Sequence, residues 1–243
     1  MLVLGHRGSA ATHVENTTAG VRAALDAGAA GVEVDVRRTA AGSLVCSHDA
    51  TLERFGGPAT PIVEMSDAEV HAVVLPGGLH VCSVAAVLEA AAGRGRVVLE
   101  VKNLPGEPDF DAPTEATARL LADVLGRWPG APAPDVVVSS FDWFALDVVR
   151  ELAPEVPTGF LTPAGIRLRA AVDHVHESGH AECHPHWTAV LEEPTEVRRA
   201  HDLGLRVTTW TVDDAGVARA LAEAGVDAVI SNDPGALLRA LPA

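Results

Sequence analysis

Basic residues are scarce in this chain of 243 residues: 18 Lys and Arg stand against 33 Asp and Glu, for a formal charge of −15 with histidine neutral. No basic run occurs, which removes the electrostatic grip on a phosphate backbone and with it any expected nucleic-acid partner. Cysteine is equally sparse. Cys46, Cys82 and Cys183 make an odd count without a C-x-x-C pair, fitting neither a disulfide scaffold nor a zinc-finger spacing, and they read as reduced, buried thiols. No window approaches about 18 uninterrupted apolar residues, so no membrane span is expected. The opening run Met1-Leu2-Val3-Leu4-Gly5-His6 lacks a basic n-region, a long apolar h-region and a small-residue cleavage site, which makes the cytoplasm the expected compartment. Proline (16) and glycine (22) are too few for a disordered or collagenous chain.

What is present is a globular composition, 48% hydrophobic and 21% charged, at a length that α/β barrels commonly use for one core. Short β-branched runs alternate with Ala-rich stretches of helical period, the pattern of parallel strands joined by crossover helices. Eight rounds are visible. Strands are expected at Leu2 to Gly5, Gly31 to Arg37, Val97 to Lys102, Asp135 to Ser140, Thr158 to Leu161, Ala181 to His184, Arg206 to Thr211 and Ala228 to Ser231. The expectation is an α/β fold, a single TIM-type (β/α)8 barrel over residues 1–243. One break occurs after the second strand, where Ala40-Ala41-Gly42 and Leu44 to His48 read as a turn and a return strand of a hairpin. Residues 49–81, with Gly56-Gly57-Pro58 and Pro76-Gly77-Gly78, then form a small insertion.

Chemistry collects on strands two and three. In Val32-Glu33-Val34-Asp35-Val36 the alternation of side chains puts Glu33 and Asp35 on one face and the valines on the other. Inward carboxylates on a buried parallel strand are costly unless a cation meets them. Glu100 and Lys102 repeat the device on strand three, so three carboxylates and an ammonium converge on the C-terminal mouth of the barrel. An all-oxygen ligand set suits Mg²⁺ or Ca²⁺ better than zinc, and one divalent cation is expected. The competing assignment is a structural ion-pair network with Arg7 or Lys102. Arg7, in His6-Arg7-Gly8 after strand one, supplies a planar fork suited to phosphate. Hairpin arithmetic with a turn centred near residue 41.5 sets His48 opposite Asp35. His6 and His48 would then flank the cation, one imidazole able to take a proton from a nucleophile while the other gives one to a leaving oxygen.

These residues carry a family resemblance. His6-Arg7-Gly8, Glu15-Asn16-Thr17, Glu33-x-Asp35, His48-Asp49, Leu52-x-Arg54 and Glu100-x-Lys102, followed by Ser139-Ser140-Phe141, Trp210-Thr211-Val212 and Ser231-Asn232-x-Pro234, resemble the glycerophosphodiester phosphodiesterase family along essentially the whole chain. The resemblance implies hydrolysis of glycerophosphodiesters to glycerol 3-phosphate and an alcohol, with one divalent cation on Glu33, Asp35 and Glu100. It further implies His6 and His48 as acid and base, Arg7 and Lys102 on the phosphate, and Trp210 facing the pocket. The attacking group is left open between water and the glycerol 2-hydroxyl. Glu15 is expected to support Arg7 or to tune the phosphate site. Two positions depart from the family: Val14 replaces a proline before the Glu-Asn-Thr triplet, and Cys82-Ser83 replaces a proline-threonine pair.

Other features carry less. The run Glu182-Cys183-His184-Pro185-His186, with His174, His176 and His180, invites a transition-metal reading, but Pro185 interrupts regular structure and the upstream histidines fit a helix end and loop. Trp128, Trp143 and Trp187 are assigned to packing. Two rival functions remain in view. One is a lysophospholipid- or phosphoinositide-directed phosphodiesterase, for which residues 49–81 offer only scattered apolars. The other is a silent barrel binding phosphoryl ligands, which would not need an acid-base pair.

Overall fold

The computed structural model describes residues 1–112, 114–128 and 136–241. Its strands are β1 (Leu2–Gly5), β2 (Gly31–Arg38), β3 (Leu44–Cys46), β4 (Val74–Leu75), β5 (Leu79–His80), β6 (Arg96–Val101), β7 (Val136–Ser140), β8 (Thr158–Thr162), β9 (Glu182–Pro185), β10 (Arg206–Thr209) and β11 (Ala228–Ser231). Eight of them close a parallel ring in the order β1-β11-β10-β9-β8-β7-β6-β2, sealed by β1 against β2. The antiparallel β3 lies outside the ring on β2. This is a TIM-type barrel. Asp135, the expected first residue of the fourth strand, lies outside the described residues.

Helices α1 (Thr18–Asp26), α2 (Asp67–Ala72), α3 (Val84–Ala91), α4 (Ala116–Gly126), α5 (Trp143–Leu152), α6 (Leu168–Ser178), α7 (Trp187–Glu192), α8 (Thr195–Asp202), α9 (Ala215–Glu223) and α10 (Pro234–Ala240) fill the crossovers and the insertion. Their starts are written locally. Thr17, Ser83, Asp142, Asp214 and Asp233 each accept a backbone N–H from the first helical turn, Ser66 and Glu69 form a capping box, and Pro234 follows its cap. Helices pack on the outward faces of the strands. On β2 those are Val32, Val34 and Val36, all fully buried with Val97, Leu99 and Val101 of β6 in one large apolar cluster. The inward faces are filled by Leu4, Val98, Val137, Ala228 and Ile230, on which Trp210 rests. Below them the inward Arg96 and Glu182 make a buried ion pair, with His184 and Thr208 also reaching Glu182.

Several expectations need correction. Thr39 and Ser43 close the hairpin turn, which centres it on residue 41, and the register runs Val36↔Cys46 and Arg37↔Val45. Ser47, whose N–H donates to the Asp35 carbonyl at 3.2 Å, therefore stands opposite Asp35, and His48 lies one residue further on. Pro185 does not break its strand; it pairs with Thr162 as the last residue of β9, where only its carbonyl is needed, accepting from Thr209 at 2.8 Å. His176 lies in the last turn of α6 and His180 in the loop after it, as expected, while His174 sits one turn further into the helix. β10 stops at Thr209, short of Trp210 and Thr211. Trp128 and Trp187 do pack on the core, whereas Trp143 is 44% exposed at the start of α5. The insertion has its own apolar cluster, with Leu52, Ile62, Met65, Val70, Leu75 and Val81 packed on Val45 of β3.

Candidate active site

The first turn after β1 sets the geometry. Arg7 and Gly8 both take positive φ (50° and 85°), and a Cβ on Gly8 would lie 2.6 Å from the Gly20 carbonyl carbon, so glycine is required there. The turn brings the Arg7 backbone N–H to 3.0 Å from Glu33 Oε2 and Arg7 Nε to 3.3 Å from Asp35 Oδ2. Asn16, also at positive φ, grips Asp35 twice: its Nδ2 donates to Oδ2 at 2.8 Å and its Oδ1 accepts the Asp35 N–H at 3.0 Å.

β2 and β6 run side by side with Asp35 opposite Glu100. Glu33, Asp35 and Glu100, each at most 8% exposed, bring one carboxylate oxygen apiece to within 4.8 Å of one another. Lys102 lies between two of them, its Nζ 2.8 Å from Asp35 Oδ1 and donating to Glu100 Oε1. Burial pushes the Glu33 carboxyl well up, reinforced by Asp35 and Glu100, and pushes Glu100 up as well. Burial also opposes ionisation of Asp35, but the neighbouring Lys102 and Arg7 win and hold it far below the usual carboxylate range. Lys102 is raised: Glu100 and Asp35 outweigh its own desolvation.

A cation fits this cluster on two grounds. Glu33 Oε1 is buried without a hydrogen-bond partner, and three carboxylates outnumber the two nearby cations, Arg7 and Lys102. A divalent ion would satisfy the orphaned oxygen and reverse the local sign to the one an anionic diester needs. The all-oxygen donor set is that of a hard cation.

Each histidine is aimed by a neighbour. Asp213 accepts the Asn232 Nδ2–H at 2.7 Å, which turns Asn232 Oδ1 toward His6 Nδ1 at 2.7 Å. His6 Nδ1 must then carry the proton, leaving Nε2 as a lone pair 3.9 Å from Glu33 Oε2. Burial, then the Arg7 charge, lower the His6 pKa and favour this neutral form. His48 Nδ1 lies 2.8 Å from Asp49 Oδ1, so its Nε2 is likewise the outward nitrogen. Asp49 also accepts from Arg54 at 2.6 Å, Arg54 donates to Glu15 at 2.6 Å, and Glu15 accepts from Arg7 at 3.1 Å. One polar chain thus joins His48 to Arg7 across the mouth, and Glu15 is its middle link. Trp210, half-buried over the inner apolar layer, donates to the His184 carbonyl at 3.0 Å and packs edge-on against Phe141 at 5.5 Å.

Sequence reasoning missed three supports. Asn16 and Asn232 were present in the quoted triplets but carried no role until their contacts to Asp35 and His6 appeared. Arg37 follows Glu33 and Asp35 at the same two-residue step, which was the available signal. Its guanidinium is fully buried, donates twice to the His48 carbonyl at 3.0 and 2.6 Å, and grips both Asp109 oxygens at 2.7 and 2.6 Å.

A closed barrel with acidic, cation-type chemistry at the C-terminal mouth and two oriented imidazoles defines a TIM-barrel enzyme of the hydrolase kind. Comparison with known proteins narrows the class. Residues 6–236 match the glycerophosphoryl diester phosphodiesterase family, and the chain belongs to it. A glycerophosphodiester phosphodiesterase of Caldanaerobacter subterraneus is 27% identical over 252 residues, covering 98% of this chain and 96% of that one. Among solved structures, an Oleispira antarctica phosphodiesterase in complex with the product sn-glycerol-3-phosphate superposes with a TM-score of 0.84 at 25% identity, covering 99% and 96% of the two chains. A Thermotoga maritima glycerophosphodiester phosphodiesterase superposes with a TM-score of 0.80 at 26% identity, covering 98% and 97%. No helix among the described residues is long and apolar enough to cross a membrane.

Proposed function

We propose that residues 1–243 act as one barrel domain, with an insertion at 49–81, that hydrolyses glycerophosphodiesters to glycerol 3-phosphate and an alcohol with the help of one divalent cation, Mg²⁺ or Ca²⁺. The observation that carries this reading is the convergence of Glu33, Asp35 and Glu100 within 4.8 Å, with Glu33 Oε1 unpartnered, beside two imidazoles each oriented through Nδ1. Glu33, Asp35 and Glu100 would hold the ion, which when bound supplies Lewis-acid stabilisation of charge on the phosphorus oxygens. Arg7 and Lys102 hold the remaining phosphate oxygens. His6, neutral with Nε2 free, takes the proton from the attacking hydroxyl. His48 gives its Nε2 proton to the leaving alkoxide, and Asp49 at Nδ1 is the partner a proton-donating imidazolium needs. Trp210 offers an apolar face to the glycerol carbons, and Glu15 keeps Arg7 and Arg54 in place. Three free thiols fit a reducing, cytoplasmic setting.

The test is turnover of glycerophosphocholine by purified protein with Mg²⁺ or Ca²⁺, with and without chelator, reading glycerol 3-phosphate. Activity lost on chelation and in His6→Ala and His48→Ala is the expected result. Tight binding of the diester with no turnover in any metal would replace this reading with a phosphoryl-binding barrel.

A further inference from the structure

Two of the three thiols meet behind the carboxylate cluster. Cys46 ends β3, and the chain that enters α3 runs antiparallel along it, with Val45 bridged to Ser83. That register sets Cys46 against Cys82, and the Cys46 N–H donates to the Cys82 carbonyl at 2.9 Å. Residues facing each other in this way lie about 4.5–5.5 Å apart at Cα, inside the roughly 4.4–6.8 Å that a disulfide spans. Both side chains rest on the same apolar cluster, and the two sulfurs share a hydrogen bond.

The pair is chemically unequal. The shared bond, then burial, raise the Cys46 thiol. The same bond lowers Cys82 against its burial, and the Thr18 N–H at the start of α1 also favours its anion. Cys82 is the half-buried member, while Cys46 and Cys183 are buried, and burial pushes Cys183 up to about 12. A cavity of about 10 Å³, lined by Asn16, Cys46, Ser47, His48 and Val81, lies beside the pair. It has room for about one water-sized molecule, which admits a small oxidant and excludes a bulky disulfide.

Cys82 also reaches the site. Its Sγ–H donates to the Asn16 carbonyl at 3.1 Å, and Asn16 is the residue that grips Asp35 through two hydrogen bonds. Cys82 is moreover one of the departures from the family pattern, so the pair is no part of the family's common site.

We propose that Cys46 and Cys82 form a peroxide-sensitive thiol pair whose disulfide loosens Asn16 and, through it, the carboxylate cluster. The Cys82 thiolate attacks one oxygen of hydrogen peroxide; the O–O bond breaks, leaving Cys82 as a sulfenic acid, and the departing hydroxide takes up the proton Cys82 had released. Cys46 then attacks the Cys82 sulfur. The S–S bond forms, and the sulfenic oxygen leaves as water with the Cys46 proton. Two thiols are oxidised by two electrons, and one peroxide is reduced to two waters. Cys82 then has no S–H to offer the Asn16 carbonyl, and its sulfur is drawn toward Cys46.

The experiment exposes the purified, reduced protein to hydrogen peroxide and reads thiols, linkage and cation binding. Free thiols fall from three to one, and peptide mapping finds residues 46 and 82 joined and lighter by two hydrogens. Oxidation weakens Mg²⁺ or Ca²⁺ binding roughly tenfold, read as a smaller cation-induced rise in Tm, and lowers kcat by a similar factor; dithiothreitol reverses both. In Cys46→Ala and Cys82→Ser no linkage forms and the oxidised-to-reduced ratio of cation affinity stays near one. Three thiols surviving peroxide, oxidation of Cys82 without linkage to Cys46, or a linked protein that binds cation and turns over like the reduced one each overturn the proposal. The linkage and melting measurements need no turnover, so a protein inert toward glycerophosphocholine would sink the hydrolytic reading while the thiol pair is still judged by them.

Discussion

Replacing Arg37 by methionine separates the two jobs its guanidinium does. The side chain fills buried space at the base of the mouth, tying the loop after β6 through Asp109 and Glu107 to the carbonyl of His48. Methionine keeps much of the volume and removes every donor. Asp109, 4% exposed, is left as a buried carboxylate without its cation, and losing one partner of such a pair costs about 3–5 kcal/mol. At roughly 2–4 °C per kcal/mol for a chain of this size, Tm should fall by about 6–20 °C. His48 loses both donors to its carbonyl, and a catalytic group displaced by about 1 Å costs on the order of 10²-fold in rate. The informative measurement adds Asp109→Leu to Arg37→Met. The double variant removes the stranded charge, so it should recover most of the Tm while kcat stays depressed with KM little changed. If the single variant melts and turns over like the wild type, or if kcat recovers along with Tm, the positioning of His48 by Arg37 is refuted.

Three further outcomes follow from the same geometry. Adding a divalent cation at about 100 times its Kd should stabilise the fold by roughly 3 kcal/mol, which thermal melts read as a rise of several degrees that Glu33→Gln and Asp35→Asn abolish; no shift with Mg²⁺, Ca²⁺ or Mn²⁺ counts against a cation site. Asn232→Ala frees the His6 tautomer and should lower kcat by about 10–100-fold. With neutral His6 as the proposed proton acceptor, activity should fall as pH drops through its lowered pKa, and Asn232→Asp, by placing a carboxylate on Nδ1, should move that acid limb to higher pH; an unmoved limb contradicts the assignment. Glu182, where burial is outweighed by His184 and Arg96, is held at about 2 against an ordinary 4.5. A lowered carboxylate contributes stability present above pH 4.5 and lost as pH falls toward 2, on the order of 3 kcal/mol here, so chemical denaturation of Glu182→Gln should show a flatter acid limb than the wild type.

How much of this could be read without coordinates differs from element to element. Valine-flanked Glu33 and Asp35, and Glu100 with Lys102, declare their faces because strand alternation is local, and the βα rhythm declares the barrel for the same reason. His48 was misplaced by one residue because hairpin register depends on where the turn closes, and Thr39 with Ser43 fixes that through contacts a residue count cannot see. Arg37 meets Asp109 across 72 residues of chain, and Asn232 meets His6 across 226, so neither partnership leaves a local trace. Trp143 was read as packing because an indole usually is; its exposure follows from the position of α5 and α6 beside β8, a tertiary fact.

Every group assigned to proton transfer or to the ion comes from the turn after β1, from β2, from β6 or from the loop after β3, while an apolar groove lies along β7, β8, α5 and α6 with Leu104 of the loop after β6 at its edge. The acids and imidazoles therefore occupy one arc of the ring and the groove the adjoining one, the two meeting where β6 pairs with β7. Loops on the second arc are free to be lengthened, shortened or recoloured with polar residues while the acids and imidazoles keep their positions, which makes this chain a scaffold on which a new leaving group could be chosen without rebuilding the means of cutting it.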